Sequence, residues 1–236
     1  MPPIARLLLL LLCLPLATAA APHRPPPFEA TYRIAVSGLT VGQVRITLRY
    51  DGDRFEYAKR TVSKGLAALF RDDVITEVSR GRVVDGRFVL EDYRYEQRRK
   101  GKSRVEELRL RDGRAEGHYK GRDYVLDVPP GTLDRSSVEL ALMRDAGPER
   151  ATLSYPVVER GKFKTLRFTL QGEEDMSVPA GEFSCLSYHV KRQSKKRDTT
   201  LCLAPALHNL PLHARHIEKG TRIDMTLRRY RFPADD

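Results

Sequence analysis

Apolar residues recur at every second position over long stretches of this sequence, which restricts the chain to a fold built from β-strands. In the segment 28–36, Phe28, Tyr32 and Ile34 belong to one apolar set, and polar or charged residues stand between its members. A period of two puts the apolar side chains on one face of an extended strand. The same period recurs in five further segments: 44–50, 93–95, 124–128, 166–170 and 223–227.

Short turn sequences separate these alternating segments. Glycine accepts the positive φ that a tight hairpin turn needs, and Asp or Ser beside it favours the turn. We therefore predict a meander of roughly ten to thirteen strands joined by hairpins. The five turns on which this prediction rests are Ser37-Gly38, Asp51-Gly52-Asp53, Asp85-Gly86, Lys100-Gly101-Lys102 and Asp112-Gly113.

Residues 133–144 break the period of two and favour a helix. Val138 and Leu142 share one face of it, and Asp134 can cap its amino terminus. Gly147 and the proline after it can end it.

Residues 28–232 are predicted to form a single domain. The clearest interior break is Pro129-Pro130-Gly131, but nothing like a flexible linker accompanies it. A long antiparallel meander must protect its edge strands, and curling the sheet does so. The expected fold class is therefore mainly β: an antiparallel meander curled into a barrel-like or half-barrel sheet, with one or two short helices.

The amino terminus has the pattern of a cleavable signal peptide, residues 1–21. Arg6 precedes an apolar run from Leu7 to Leu16, and small residues follow that run. Cys13 lies inside the run after a leucine, so a lipoprotein anchor is not expected. Residues 22–27 form a Pro-rich leader that cannot pair in a sheet. We expect the mature protein to be periplasmic.

The charge of the chain limits the partners that it attracts. The formal net charge is +11. The apolar run 7–16 is too short to span a membrane as a helix, and no other stretch is long and apolar enough to do so. Outside the cytoplasm, such a charge attracts anionic lipid head groups more readily than nucleic acid. The basic hairpin ends 98–104 and 191–197 could meet lipid phosphates, or they could be ordinary solvated tips. The oligomeric state is not determined by the sequence.

Cys185 and Cys202 are the two cysteines of the predicted mature protein. In an oxidising compartment an isolated pair is more often a disulfide than two thiols or a metal site. If the hairpin between them turns symmetrically about Gln193 and Ser194, the two cysteines face each other across it.

Several motifs taken in order resemble a family of exported bacterial proteins known as domain of unknown function 3108. They cover most of the segment from Phe28 to Tyr230. The family has no agreed activity, so the resemblance implies export and a β fold and no reaction. The matching motifs are Tyr32, Val36-Ser37-Gly38-Leu39 with Gly42, Gly65-Leu66-Ala67-Ala68-Leu69-Phe70, Val178-Pro179-Ala180-Gly181-Glu182-Phe183, and Ala204-Pro205 with Leu210-Pro211-Leu212.

An aromatic inward face makes ligand binding one hypothesis for this chain. Tyr93 and Tyr95 lie on that face, and a large curled sheet lined by aromatics could hold an apolar ligand. Leu66, Leu69 and Phe70 lie in a short apolar segment that is out of period with the strands, and it could cover such a cavity. Ordinary core packing explains the same residues without a ligand.

A histidine cluster is the basis of the alternative, an enzyme of the hydrolase type. His208, His213 and His216 are close in sequence, but their spacing matches no zinc motif, and His213 and His216 would face opposite sides of a strand. Nucleophile-elbow, phosphate-loop and metalloprotease motifs are absent from the sequence. We therefore predict no catalytic residue, no metal site and no cofactor.

Three functions stay open on the sequence alone. The first is a non-enzymatic periplasmic protein that binds a lipid-like or apolar ligand or serves envelope assembly. The second is the hydrolase. The third is a structural or protein-partner module without a ligand.

Cleavage of the amino terminus is the first testable prediction. Because the charged, apolar and small residues follow in the order that signal peptidase requires, we expect cleavage between Ala19 and Pro22. Amino-terminal sequencing of the exported protein measures this. Detection of residues 7–16 in the mature chain would contradict it.

Overall fold

The computed structural model describes residues 24–64, 73–191 and 197–233. These residues form fifteen strands, one α-helix, α1 (Val138–Asp145), and one 3-10 turn (Pro205–Leu207). The strands are β1 (Phe28–Val36), β2 (Leu39–Asp51), β3 (Arg54–Ser63), β4 (Asp73–Val84), β5 (Arg87–Arg99), β6 (Lys102–Arg111), β7 (Arg114–Tyr119), β8 (Arg122–Asp127), β9 (Leu133–Asp134), β10 (Thr152–Glu159), β11 (Lys162–Val178), β12 (Gly181–Lys191), β13 (Arg197–Ala204), β14 (Leu210–Glu218) and β15 (Thr221–Arg231).

All the strands belong to one sheet, which confirms the predicted antiparallel β fold. From β1 to β8 and from β9 to β15, consecutive strands lie side by side, and β1 pairs with β15, so the first and last strands meet in the middle of the sheet. Strand β9 pairs with β10 in parallel, whereas the other pairs among the described strands are antiparallel. The two edges of the sheet are β8 and β9.

The five predicted turns all join adjacent strands, but the predicted strand count is too low. Three further hairpins turn on a basic residue followed by glycine, at Lys120-Gly121, Arg160-Gly161 and Lys219-Gly220. In each, both residues have positive φ, as in the Asp85-Gly86 turn. The glycine adopts its positive φ without strain, and Lys or Arg adopts the positive φ before it, so an Asp or Ser at that position is not required.

Helix α1 begins later than the sequence predicts, at Val138 instead of Leu133. The carboxylate of Asp134 accepts hydrogen bonds from the backbone N–H groups of Ser136 and Ser137, at 2.5 and 3.0 Å, and from the Ser137 hydroxyl at 2.7 Å. These bonds hold the chain in a turn just before the helix. Leu133 and Asp134 form strand β9 instead.

Helix α1 lies inside the curl of the sheet and is buried on most of its circumference. The sequence assigns Val138 and Leu142 to its apolar face, and the structure also buries Leu140 and Met143. Tyr155 of β10 donates a hydrogen bond to the carbonyl of Ala141. Because the sheet wraps around the helix, contacts reach α1 from both halves of the sheet.

The two halves of the curled sheet meet through side chains. The backbone N–H of Arg160, at the β10–β11 turn, donates a 2.6 Å hydrogen bond to Glu106 on β6. A Cβ at Gly161 would lie 3.0 Å from the ring of Tyr124 on β8, so this turn packs directly against the opposite half. The sheet is therefore barrel-like, as predicted, but it is not closed by backbone pairing.

Cys185 on β12 and Cys202 on β13 lie with Cα atoms 5.5 Å apart and sulfur atoms in bonding contact. The predicted register is off by two residues, because Ser187 and not Cys185 stands opposite Cys202. Cys185 lies two positions before Ser187 in β12 and therefore on the same face. The pair is thus diagonal across the two strands. The hairpin centre predicted for it, Gln193-Ser194, falls in residues 192–196, outside the described part of the chain.

The second testable prediction is that Cys185 and Cys202 form a disulfide in the exported protein. Their Cα separation lies within the range that a disulfide requires. Thiol labelling of denatured, unreduced protein should modify neither cysteine, and labelling after reduction should modify both. Two labelled cysteines before reduction would refute the bond.

Candidate functional site

The inner face of the curled sheet changes from buried to half-buried along the direction of its strands. On β1, Phe28 and Tyr32 are 1% and 0% exposed, whereas Ile34 and Val36 are half-buried. These residues share one face because they are separated by even numbers of positions. Solvent therefore reaches the inner face near the β1–β2 hairpin.

The neighbouring strands show the same change at the same level. On β15, Leu227 is fully buried and Met225 is half-buried; on β14, Leu212 is fully buried and Ala214 is half-buried. Register places Ile34, Met225 and Ala214 side by side across the three strands. We call this open end of the curl the mouth. The end that holds α1 is filled by apolar side chains.

The mouth has two walls of different chemistry. Strands β1, β14 and β15 supply the apolar wall, with Ile34, Ala214 and Met225 in one row. Strands β3 to β6 supply a mostly polar wall, in which Thr61, Ile75, Gln97 and Arg104 follow each other across the sheet. Such a mouth suits a molecule that has both an apolar and a polar part.

Charged side chains form the floor of the mouth, where the sheet meets the amino-terminal end of α1. Lys59 of β3 donates a 2.5 Å hydrogen bond to Glu139 of the helix, and the hydroxyl of Tyr57 donates to the same carboxylate at 2.9 Å. Both partners of the Lys59–Glu139 ion pair are mostly buried. The pair ties the helix to the sheet and keeps two charges beneath the mouth.

A second ion pair continues the floor toward β5. The guanidinium of Arg135 donates to Glu77 at 2.7 Å and to the Tyr93 hydroxyl at 2.7 Å, and Ser136 donates to Glu77 at 2.9 Å. Burial is the largest single influence and lowers the pKa of Arg135, but Glu77, Tyr93 and Glu106 together outweigh it, so the net pKa is raised. Arg135 therefore stays charged.

The hydroxyl of Tyr32 is a polar group at this floor that has no hydrogen-bond partner among the described residues. The Tyr32 side chain is fully buried. Burial first, and the nearby carboxylate of Glu139 second, raise the pKa of Tyr32 well above its usual value. The hydroxyl is thus a neutral donor without an acceptor, and a buried group of this kind costs free energy unless a partner arrives.

The two tyrosines that the sequence singles out lie at different depths. Tyr95 is half-buried at the mouth, and the guanidinium carbon of Arg135 lies 4.5 Å from its ring centroid. Tyr93 is buried and belongs to the floor. The other predicted ligand residues, Leu66, Leu69 and Phe70, lie outside the described residues.

The structure does not bring the three histidines together. His213 bonds Asp224 at 2.9 Å on the outer face of β14, and His216, three positions later, bonds Thr199 at 2.7 Å on the inner face. His208 follows the 3-10 turn at the opposite end of β14, with its ring 5.1 Å from that of Phe232. Their separation follows from the alternation along β14.

Glu174, Cys185 and Cys202 are close enough to share a metal ion in the described part of the chain. The sulfur atoms of the two cysteines are in bonding contact with each other, so they offer no thiolates to a metal.

Sequence analysis missed Lys59, Glu77, Arg135 and Glu139. A signal for the first two was present, since Lys59 and Glu77 are in phase with the inward residues Tyr57 and Ser79. Their ion-pair partners could not be predicted from the alternation along a strand, because Glu139 is 80 positions from Lys59 and Arg135 is 58 positions from Glu77.

The fold defines a class of protein: a largely antiparallel sheet curled into an open barrel around a buried helix. A crystal structure from Brucella abortus, of a β-barrel-like protein of the domain of unknown function DUF1849, aligns with it at a TM-score of 0.56 and 11% identity. The alignment covers 90% of this chain and 100% of that chain. At this identity the likeness concerns the fold alone.

Two other crystal structures share less of the geometry. A DUF1089 family protein from Pseudomonas aeruginosa aligns at a TM-score of 0.40 and 15% identity, over 72% of this chain and 87% of that chain. A proposed exported protein with a YmcC-like fold from Bacteroides fragilis aligns at a TM-score of 0.39 and 12% identity, over 89% of this chain and 97% of that chain. No curated protein matches the sequence.

The chain belongs to the family described as Protein of unknown function (DUF3108), which matches residues 28–228. The resemblance seen in the sequence motifs is therefore confirmed. Among the described residues, no helix combines the length and the hydropathy that crossing a membrane would take.

The third testable prediction concerns the charged floor. Glu77→Gln removes the carboxylate from Arg135, whose side chain is only 18% exposed, and a mostly buried cation without its partner costs about 3 kcal/mol of unfolding free energy. The matched control is Glu56→Gln on the outer face, where the Arg80–Glu56 side chains are 49% and 40% exposed. For this control variant, the loss of unfolding free energy should be below about 1 kcal/mol. Urea melts of both variants measure the difference, and equal midpoints would contradict it.

Proposed function

We propose that this protein is a non-enzymatic binding protein that takes up a lipid-like ligand at the mouth of its curled sheet. One observation carries the proposal: the inward-facing apolar residues of β1, β14 and β15 are half-buried at the mouth, although the same face is fully buried one step below. An apolar surface open to water inside a curl gains free energy when an apolar group covers it.

The depth of the mouth limits the ligand. Helix α1 and the side chains around it fill the interior below Tyr32 and Tyr57, so a long apolar chain cannot pass through the curl. The ligand's apolar part would lie along Ile34 and Met225. Its polar part would face the floor, where the Tyr32 hydroxyl lacks an acceptor and Lys59 is a donor. This arrangement favours an amphipathic molecule over a purely apolar one.

The compartment is part of the proposal. The charged, apolar and small-residue order of residues 1–21 supports export to the periplasm, where such a protein would bind a lipid-like molecule or serve envelope assembly. The separation of the three histidines gives no support to a hydrolase. A structural or protein-partner module would also have an interior filled by side chains around α1. That role is therefore the second candidate.

The fourth testable prediction distinguishes the two candidates. The native protein should bind a dansyl-labelled fatty acid, and Ile34→Asp, which puts a charge on the apolar wall, should weaken binding by about tenfold or more. The matched control is Val78→Asp, because Val78 is a half-buried aliphatic residue on the outer face of β4. That variant should bind the probe like the native protein.

Fluorescence titration gives the affinities, and a urea melt of each variant shows whether it is folded. No binding by the native protein, or equal losses in the two variants, would refute the ligand and leave the structural role. The double variant Leu69→Ser with Phe70→Ser enters the same titration. If these residues cover the ligand, probe uptake changes more than the folded fraction does.

A further inference from the structure

One arginine that faces the inside of the curl has no carboxylate partner among the described residues. Arg104 of β6 is half-buried and is in phase with Glu106 and Leu108, which are both 2% exposed. Residues two positions apart on a strand share a face, so Arg104 faces inward, where it belongs to the polar wall of the mouth. It brings a positive charge to that wall.

The cations of the floor and of the helix are neutralised, unlike Arg104. Three ion pairs show this: Lys59 lies 2.5 Å from Glu139, Arg135 lies 2.7 Å from Glu77, and Arg144 lies 2.6 Å from Asp145. Glu106, two positions from Arg104 on the same face, accepts its 2.6 Å hydrogen bond from the backbone N–H of Arg160 instead. The charge of Arg104 is therefore not compensated by the carboxylates around it.

The guanidinium of Arg104 is held in place but keeps unused donors. Its Nη2 donates to the hydroxyl of Tyr119, and its central carbon lies 5.0 Å from the centroid of that ring. Its Nε is buried without an acceptor in the described part of the chain. Tyr119 thus orients the guanidinium without neutralising it. A half-buried cation with an unmet donor costs free energy, which an anion that enters the mouth would recover.

The hydroxyl of Tyr95 shows that this side of the mouth is positively charged. Burial first, and the carboxylate of Glu77 after it, raise the pKa of Tyr95, whereas the charges of Arg135, Arg104 and Arg160 act to lower it. Three guanidinium groups therefore act on one hydroxyl. Since Arg135 is paired with Glu77, the excess charge lies toward Arg104, and it favours an anion over a neutral polar group.

We propose that the lipid-like ligand carries an anionic head group, a carboxylate or a phosphate, and that Arg104 binds this group. A guanidinium can donate two parallel hydrogen bonds to one oxyanion. The apolar wall selects an amphipathic anion over a free inorganic one, because only the former covers Ile34 and Met225. The inference rests on the proposed function and adds the chemical class of the head group.

Two fluorescent probes with the same acyl chain test the head group. The native protein should bind a dansyl-labelled fatty acid about tenfold more tightly than its methyl ester, because a hydrogen bond between two charged groups is worth at least that factor. Arg104→Gln should weaken binding of the acid to the level of the ester and leave the ester unchanged. Arg104→Lys, which keeps the charge but loses the planar fork, should retain part of the preference.

The matched control is Arg109→Gln. Arg109 is exposed on the outer face of the same strand, so its replacement changes the net charge equally and leaves the mouth intact. Fluorescence titration should show the native preference for the acid in this variant. A urea melt of each variant shows whether it is folded. If Arg104→Gln is unfolded, Arg104→Lys decides, and an undiminished preference in it would overturn the inference.

Competition separates a lipid head group from a free anion. Dodecyl phosphate should displace the acid probe from the native protein, whereas inorganic phosphate at the same concentration should not. Equal displacement by both would indicate a site for free anions and would overturn the inference.

Ile34→Asp distinguishes this result from that of the proposed function. It should weaken binding of both probes, whereas Arg104→Gln weakens binding of the acid alone. Equal native affinities for acid and ester, or a preference that persists in folded Arg104→Gln, would refute the head-group assignment and leave the proposed function intact. If the native protein binds neither probe, the proposed function fails and the inference fails with it.

Discussion

The structure depends on the burial of α1 inside the curled sheet. A sheet of this length has an apolar inner face that must be covered, and its edges β8 and β9 are not paired with each other. The helix supplies the cover, because Leu140, Leu142 and Met143 fill the interior against strands from both halves. The curl then needs no backbone closure, since the helix and side-chain contacts such as Glu106 to Arg160 hold its two halves together.

The polar floor follows from where the helix begins. Asp134 turns the chain just before α1, and the residues that follow it meet β3, β4 and β5 at a depth where water begins to enter the curl. Charged residues can lie there because each has a partner across the gap, as Lys59 has Glu139 and Glu77 has Arg135. The same floor ends the apolar core and begins the mouth. Core and candidate site are therefore two levels of one inner face.

The outer face shows a similar contrast. The sheet pairs its charges across strands in the row of Arg80, and two rows away on the same face it sets Arg45 against Arg60. Folding gains from the first arrangement and loses from the second. The mouth lies toward the β1–β2 turn, where Leu39 is exposed, whereas Arg45 stands opposite Thr31, near the middle of β1.

The sequence by itself determined the strands, the predicted hairpin turns and the inward set that includes Tyr93 and Tyr95, because a period of two and a glycine turn are local properties. It also predicted a helix near residues 133–144, but not that the helix would be enclosed. Only the tertiary structure decided the pairing of β1 with β15, the shift that puts Ser187 opposite Cys202, and the ion pairs of the floor. These join residues far apart in the chain, and such contacts depend on how a whole sheet curls around its core. No local pattern contains that information.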